Sequence, residues 1–399
     1  AGTSNYWGTA IGYSDLTGGG GITVSGTSRN IIWAGTTVRS PITINGPSAN
    51  ITGTNTFTDT LTVDVSSGDA YVSGSQSLTT ANKDLTLKAT GNVSVEIGAS
   101  ISTTGGNIVM WSDSDNASDG GIEVLSTSTV NSNGGNITIR GESAANTPNV
   151  STYYRMGIYD AVIVSAGAGN VVMDGRVNTG TTATADFQCG ILFGNAGTRG
   201  TVQTTTGNIT AVGSVNGSNY TNHRGIVFWP GTIQSTSGGN ISLTGTGSNT
   251  GTGTWDIQFA QTGNVVSTSG TVSMTGTTSS AGIILPSTTV TAGTTGFTAT
   301  APAIDPNGLT LNSSGPVVFE PYAASFVSAF DTTGAIINTT ATSLRIGKAG
   351  TGGSTQNSAN VTLGNSSVTS GTNTANSTKD FIRRLLARRG TLHRCHGNR

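Results

Sequence analysis

The tripeptide Gly-Asn-(Ile/Val) keeps returning along this chain. It stands at Gly91-Asn92-Val93, Gly106-Asn107-Ile108, Gly135-Asn136-Ile137, Gly169-Asn170-Val171, Gly207-Asn208-Ile209, Gly239-Asn240-Ile241 and Gly263-Asn264-Val265. Each copy lies between a Ser/Thr/Gly-rich turn and a short β-type run such as Ile137-Thr138-Ile139 or Ile241-Ser242-Leu243. A recurring turn-plus-strand unit marks a repeat architecture, in which each unit buries its apolar face against the next. Most of such a chain is scaffold.

Composition fits that reading. Of 399 residues, 59 are Gly and 9 % are charged, and the 34 % that are apolar are mostly Ile, Val and Leu in short alternating runs. Disordered chains normally carry more net charge; many short strands joined by tight turns suit this composition better. The net charge is −1 but unevenly spread. Residues 379–399 hold seven of the 18 basic residues against one acid, which leaves 11 basic and 18 acidic side chains, a net of −7, on the rest. A weakly acidic body has no electrostatic reason to bind nucleic acid. No apolar run approaches the roughly 20 residues of a membrane helix. Cys189 and Cys395 fit no disulfide or metal spacing. Few cysteines and few charges suit an exported bacterial protein, and an opening at Ala1 rather than Met reads as a processed product. An extracellular or cell-surface location is expected.

From about residue 120 the repeat resolves into three strands per coil. The first follows Gly-Ile, at Gly121-Ile122, Gly157-Ile158, Gly190-Ile191, Gly225-Ile226 and Gly282-Ile283, with Asp256-Ile257 as a variant; 161 residues over five intervals give about 32 per coil. The second is a short run around Val130, Val162, Val202, Ile233, Val266 and Val290, and the third is the Gly-Asn strand. Period-two alternation points Ile122, Ile158, Ile191, Ile226, Ile257 and Ile283 inward as one column, with Val124, Phe193, Phe228, Phe259 and Leu285 as a second that Asp160 interrupts. One coil cannot offset its own ordering entropy, so the coils must fold stacked. Gly allows each sharp corner, and the Asn side chains, Asn107, Asn136, Asn170, Asn208 and Asn240, are expected to bond coil to coil in a ladder.

The expected architecture is an all-β parallel β-helix of about 12 coils. Residues 1–20 are a lead-in and 20–365 the solenoid. Its coils are irregular over 20–120, regular over 121–300 and degenerate over 300–365. A polar, then basic tail over 366–399 is expected to be flexible. Gly-Gly-Asn-Ile-(Thr/Ser)-Leu-type strands preceded by Ile/Val-x-(Ser/Thr)-Thr runs resemble those of filamentous-haemagglutinin-type and autotransporter-like β-helical exoproteins of bacteria, over roughly residues 20–365. The resemblance implies a right-handed solenoid and, for function, a surface adhesin or a self-assembling filament or sheath subunit.

The longer connections fall between the Gly-Asn strand and the next Gly-Ile strand. They and the strand starts beside them carry Tyr153, Tyr154, Arg155, Phe187, Gln188, Tyr220, His223, Arg224, Trp229 and Trp255. Aromatic faces beside hydrogen-bonding groups suit a glycan or matrix-protein partner; the bland alternative is that they cover the coil edge. Asp113, Asp115 and Asp119 in one loop are candidate Ca²⁺ ligands, although Ala117 breaks the EF-hand pattern; no other cofactor is expected. A polysaccharide lyase or glycosidase on this scaffold would need Asp160, Asp174 and His223 to converge, so catalysis is the second choice and no catalytic residue is assigned. Thr62, Thr86 and Thr138 raise an ice-binding face, against which the variable coil length speaks. Expected partners are other copies of the chain and a surface glycan or matrix protein.

Overall fold

The computed structural model describes residues 7–117, 119–143, 154–160, 163–178, 187–194, 198–216, 222–247, 253–278, 281–339, 341–348, 361–362 and 372–375. The chain winds as a parallel β-helix with three strands per turn. The first sheet has 12 strands, from Trp7–Ile11 to Ala303–Asp305. The second has 13, from Asp15–Leu16 to Ile336–Thr339, and the third runs from Ile22–Ser25 to Thr372–Ala375. These counts agree with about 12 coils, and a stack of that number is roughly 55–60 Å long. Along each sheet the pairing is parallel between successive windings. Asp119–Gly120 departs from this, running antiparallel to the end of Ile137–Ser143. The ladder already includes Trp7–Ile11 and Asp15–Leu16, inside the expected lead-in.

Alternation explains the core. Ile122, Ile158, Ile191, Ile226, Ile257 and Ile283 stand in register from winding to winding and are fully buried. Burial of each contributes about 1.5–3 kcal/mol. Asp160 stands in register between Val124 and Phe193. Beyond it the rings stack, Phe193 on Phe228 at 4.8 Å and Phe228 on Phe259 at 4.2 Å between centroids.

The second-sheet file differs from expectation at two places. It runs Val130, Val164, Val202, Ile233, Val265, Val290. Val162 lies outside the described residues, and Val266 pairs with Gln234 on the outward file. Two Gly-Asn copies lie away from the third sheet: Gly263–Ser267 belongs to the second, where the run around Val266 was expected, and Val93–Val95 to the first. The tripeptide specifies a corner, and any corner of the coil can use it.

The Asn ladder is present. Asp84 Oδ1 accepts the backbone N–H of Asn107 (2.7 Å), and Asn107 Oδ1 accepts that of Asn136 (3.0 Å). Asn136 Oδ1 serves Asn170 (3.0 Å), Asn170 serves Asn208 (2.8 Å), Asn208 serves Asn240 (2.8 Å), and Asn240 serves Thr271 (2.9 Å). The main link is therefore side-chain carbonyl to backbone N–H, with amide-to-amide bonds added at Asn136 and Asn170. A buried hydroxyl satisfies the same corner from inside: Thr103 donates to the Gly106 carbonyl and Thr204 to that of Gly207, both at 2.6 Å. Replacing Asn170 by Ala removes one acceptor at an exposed site that water can refill. The expected loss is about 1 kcal/mol, read by denaturant titration.

The ladder also measures the coil. Successive rungs are 23, 29, 34, 38, 32 and 31 residues apart. Coil length swells in the middle of the rod while the core register holds. Most of the added residues enter the third-to-first-sheet connection and the strands flanking it, Ile137–Ser143, Val171–Asn178 and Ile209–Asn216 on one side, Tyr154–Asp160, Phe187–Phe193 and His223–Phe228 on the other; the longest winding also lengthens the first-to-second connection, between Phe187–Phe193 and Gly200–Thr204.

Candidate binding surface

Where these long strands leave the coil, two files of glycine press backbone on backbone. Gly141, Gly175, Gly213 and Gly245 are in register on the third sheet. They meet Gly157, Gly190 and Gly225 of the first. A Cβ on Gly175 would lie 2.2 Å from the Gly190 carbonyl oxygen, and one on Gly190 would lie 2.2 Å from the Ser214 nitrogen. The pinch closes the main core and separates it from a second, smaller one on the first sheet. There Met156, Tyr159, Phe187, Cys189, Leu192 and Val227 cluster, with Leu125 and Trp229 packed against them.

The strand Phe187–Phe193 is buried at all seven positions, on both faces. The outward file Glu123, Tyr159, Leu192, Val227 is consequently covered, where an ordinary solenoid face would be wet. A sequence signal for this existed in the unbroken apolar runs Ile191-Leu192-Phe193 and Ile226-Val227-Phe228, since strands covered on both faces lose their alternation. Met156, Tyr159, Cys189, Leu192 and Val227 are the members that sequence reasoning missed.

Several expected ligand-contact residues do fall together by register. Tyr154 is opposite Phe187, Arg155 opposite Gln188 and then His223, and Met156 opposite Cys189, then Arg224, then Trp255. Tyr153 and Tyr220 lie outside the described residues. The Arg224 guanidinium sits over the Phe187 ring at 4.7 Å and donates to the Asn222 carbonyl oxygen at 3.3 Å. Such a half-buried cation–π contact contributes about 0.5–2 kcal/mol. Trp229 meets the edge of Phe187 at 6.0 Å. Arg224 and Trp255 retain partial exposure, whereas His223 is completely enclosed. Burial, then the Arg224 charge, pushes the His223 imidazole down to about 4, so it is neutral at physiological pH. Burial raises the Cys189 thiol, which therefore stays protonated and unreactive. These residues build a covered aromatic edge with a cation and an indole at its rim.

Asp256 occupies the place held by Gly157, Gly190 and Gly225 in the preceding windings. It is fully buried; its Oδ1 accepts the Gly247 N–H and the Thr278 hydroxyl, both at 2.8 Å. Desolvation raises its carboxyl to about 6 against those bonds.

Asp113 is buried while Asp115 is exposed, and Asp119 starts the short antiparallel strand. Among the described residues no three His, Cys, Asp or Glu side chains gather as metal ligands would. Asp174 is on the third sheet, paired to Arg176 at 2.6 Å, while Asp160 and His223 are on different windings of the first. Thr62 and Thr86 stand in register, but Val109 and Val172 flank Thr138 in the same file. Beside that file Lys88 and Arg140 lie over Trp111 at 5.6 and 5.3 Å, and Lys88 pairs with Asp64 at 3.4 Å. No described helix is long and apolar enough to cross a membrane.

Compared with protein-family models, with curated proteins and with solved structures, the chain matches none.

Proposed function

We propose that the chain is an extracellular structural and adhesive β-solenoid of a bacterium, a surface adhesin or a subunit of a filament or sheath, of the kind its motifs resemble. One observation supports this reading above the others. The core register holds over at least twelve windings although ladder rungs range from 23 to 38 residues apart. Most of the variation falls at one edge of a stiff rod, which is the division of labour that attachment requires: a rigid scaffold presenting connections of its own. The ionisable groups His223, Asp256 and Glu123 are enclosed within the scaffold, while short hydroxyl and amide side chains face out. The partner expected at the central edge is a surface glycan or a matrix protein, met by Trp255 and Arg224.

A glycan and matrix-protein binding screen beside negative-stain microscopy tests this. Rods that bind without turnover are expected, with at least about tenfold weaker binding in Trp255→Ala, the loss of one partly exposed aromatic anchor. Isolated monomers at high concentration together with an empty screen would remove the proposal.

A further inference from the structure

The second sheet differs from the other two in what it shows to solvent. Ten successive strands, from Asn55–Phe57 to Leu309–Ser313, contain no Asp, Glu, Lys or Arg. The third sheet carries Asp64, Lys88, Arg140, Asp174 and Glu320, and the first carries Arg224 at its rim, its Glu123 and Asp256 being buried. Protein sheets usually keep exposed faces and edges apart with charge; the strands of this one supply none. The outward side chains form register-locked files mostly of Thr, Ser, Asn and Gln, such as Thr201, Thr232, Asn264 and Thr289, with Gln203, Gln234, Val266 and Thr291 beside them. They are partly exposed, and Arg199, the residue before Gly200–Thr204, lays its guanidinium on this file, donating to Thr232 Oγ1 at 3.2 Å.

We infer that this face is where two copies of the chain pack side by side, about a two-fold axis. The inference rests on the self-assembly reading above and assigns it a surface. Three observations carry it. Hydroxyl and amide groups each donate and accept, so a face made of them is complementary to itself under a two-fold rotation, as a face of one charge is not. The body outside the basic tail carries a net −7, and a face whose strands hold no acid, with Arg199 laid on it at Thr232, is where two such bodies approach with least repulsion. The side chains are also already tied along the rod. Gln234 Nε2 donates to Gln203 Oε1 at 3.0 Å, and Gln203 Nε2 to Ser165 Oγ at 3.3 Å. Little rotamer freedom then remains to be lost on contact.

The area is sufficient for a modest association. Ten strands about 4.8 Å apart give a face about 50 Å long, and three residues across give about 10–13 Å. Two copies then bury roughly 1,000–1,300 Å² in total, the lower end of specific interfaces. The face holds no aromatic ring on which a sugar could stack, which is why a second copy is favoured over a neutral polysaccharide.

Sedimentation equilibrium of the full chain across a wide concentration range reads the association directly. The variant Thr232→Lys with Gln234→Lys places like charges in the contact and is expected to weaken dimerisation at least about tenfold. Thr244→Lys with Thr275→Lys on the third sheet is expected to leave it unchanged. Circular dichroism confirms that both pairs fold. Mixing the lysine variant with Thr232→Glu, Gln234→Glu is expected to restore association as a heterodimer. Equal weakening by both lysine pairs, or none by the second-sheet pair, overturns this face while the rod's self-assembly stands. A wild-type chain that stays monomeric throughout overturns the face and the filament reading together, and the glycan screen then decides adhesion separately. Retention on insoluble neutral polysaccharide, abolished by the second-sheet lysines in a monomeric chain, also overturns it.

Discussion

Gly213→Ala is expected to cost about 4 kcal/mol or more and to prevent the central windings from closing. The added Cβ would stand 2.2 Å from the Gly225 carbonyl oxygen, 2.7 Å from Ile226 Cγ1 and 2.8 Å from the Gly225 carbonyl carbon. None of these can swing aside. The carbonyl belongs to a strand held in the first-sheet ladder, and Ile226 is completely buried in the main core. Ordinary overpacking costs about 1–3 kcal/mol because side chains shift. Here the two sheets must part, which opens the core at Ile226 and Phe228 and removes apolar contacts on both sides. In a stack where each coil is covered by its neighbours, a fault in the middle weakens both halves. Gly20→Ala is the control, since nothing lies within 4 Å of its added carbon; its effect is expected within about 0.5 kcal/mol. Denaturant unfolding followed by circular dichroism measures both. A Gly213→Ala chain that loses under about 1 kcal/mol would show that the sheets are not in backbone contact there.

The same glycines show how far the sequence could be read. Period two and the Gly-Ile phase were enough to place Ile122, Ile158, Ile191, Ile226, Ile257 and Ile283 in one file, because a one-residue slip would turn the whole set to solvent. The Asn ladder was legible for a related reason: a Gly that permits the corner comes beside a side chain that can accept the next winding's N–H. Sheet assignment was legible for Gly263-Asn264, whose following Val266 keeps the phase of the second-strand runs. Gly91-Asn92 has the same local chemistry as the others, and only the register with Ile122 shows which corner it turns. Val164 against Val162 was lost similarly, since both are β-branched residues in one run.

The central edge was half legible. Arg155, His223, Arg224 and Trp255 were expected near one another on connections that stack, and their backbone positions do come into register. That His223 would be enclosed and Cys189 covered was not foreseeable from loop position. Their burial depends on the glycine pinch, which turns the strand about Gly190 so that Cys189 and Leu192 join one cluster. A glycine's role in a close approach depends on a partner far away in sequence, and Gly175 meets Gly190 only after a winding has closed.

Asp256 provides the second large effect, and its sign follows from its surroundings. An aspartate here takes a position that is glycine in three preceding windings, and it is buried with Oδ2 away from any donor among the described residues. Desolvation outweighs its bonds from Gly247 and Thr278, and the carboxyl titrates at about 6 in the fold against 3.8 when exposed. Below pH 3.8 both states hold the proton and the residue costs nothing through ionisation. Between 3.8 and 6 the unfolded chain ionises while the fold retains the proton, so stability falls as pH rises. Above 6 the full difference applies, about 3 kcal/mol for a shift of roughly two units. Asp256→Asn cannot ionise and keeps an oxygen for the Gly247 N–H and the Thr278 hydroxyl, while its new amide takes the place of Oδ2, which has no hydrogen-bond partner among the described residues, at a cost of about 1 kcal/mol. The variant is therefore expected to gain about 2 kcal/mol over the parent at pH 7.5 and to lose up to about 1 kcal/mol at pH 3.5. Thermal unfolding of both proteins across that range reads the crossing of the two curves. Parallel curves would mean that Asp256 ionises as freely in the rod as outside it, and that its side chain reaches water through the edge the glycines are meant to seal.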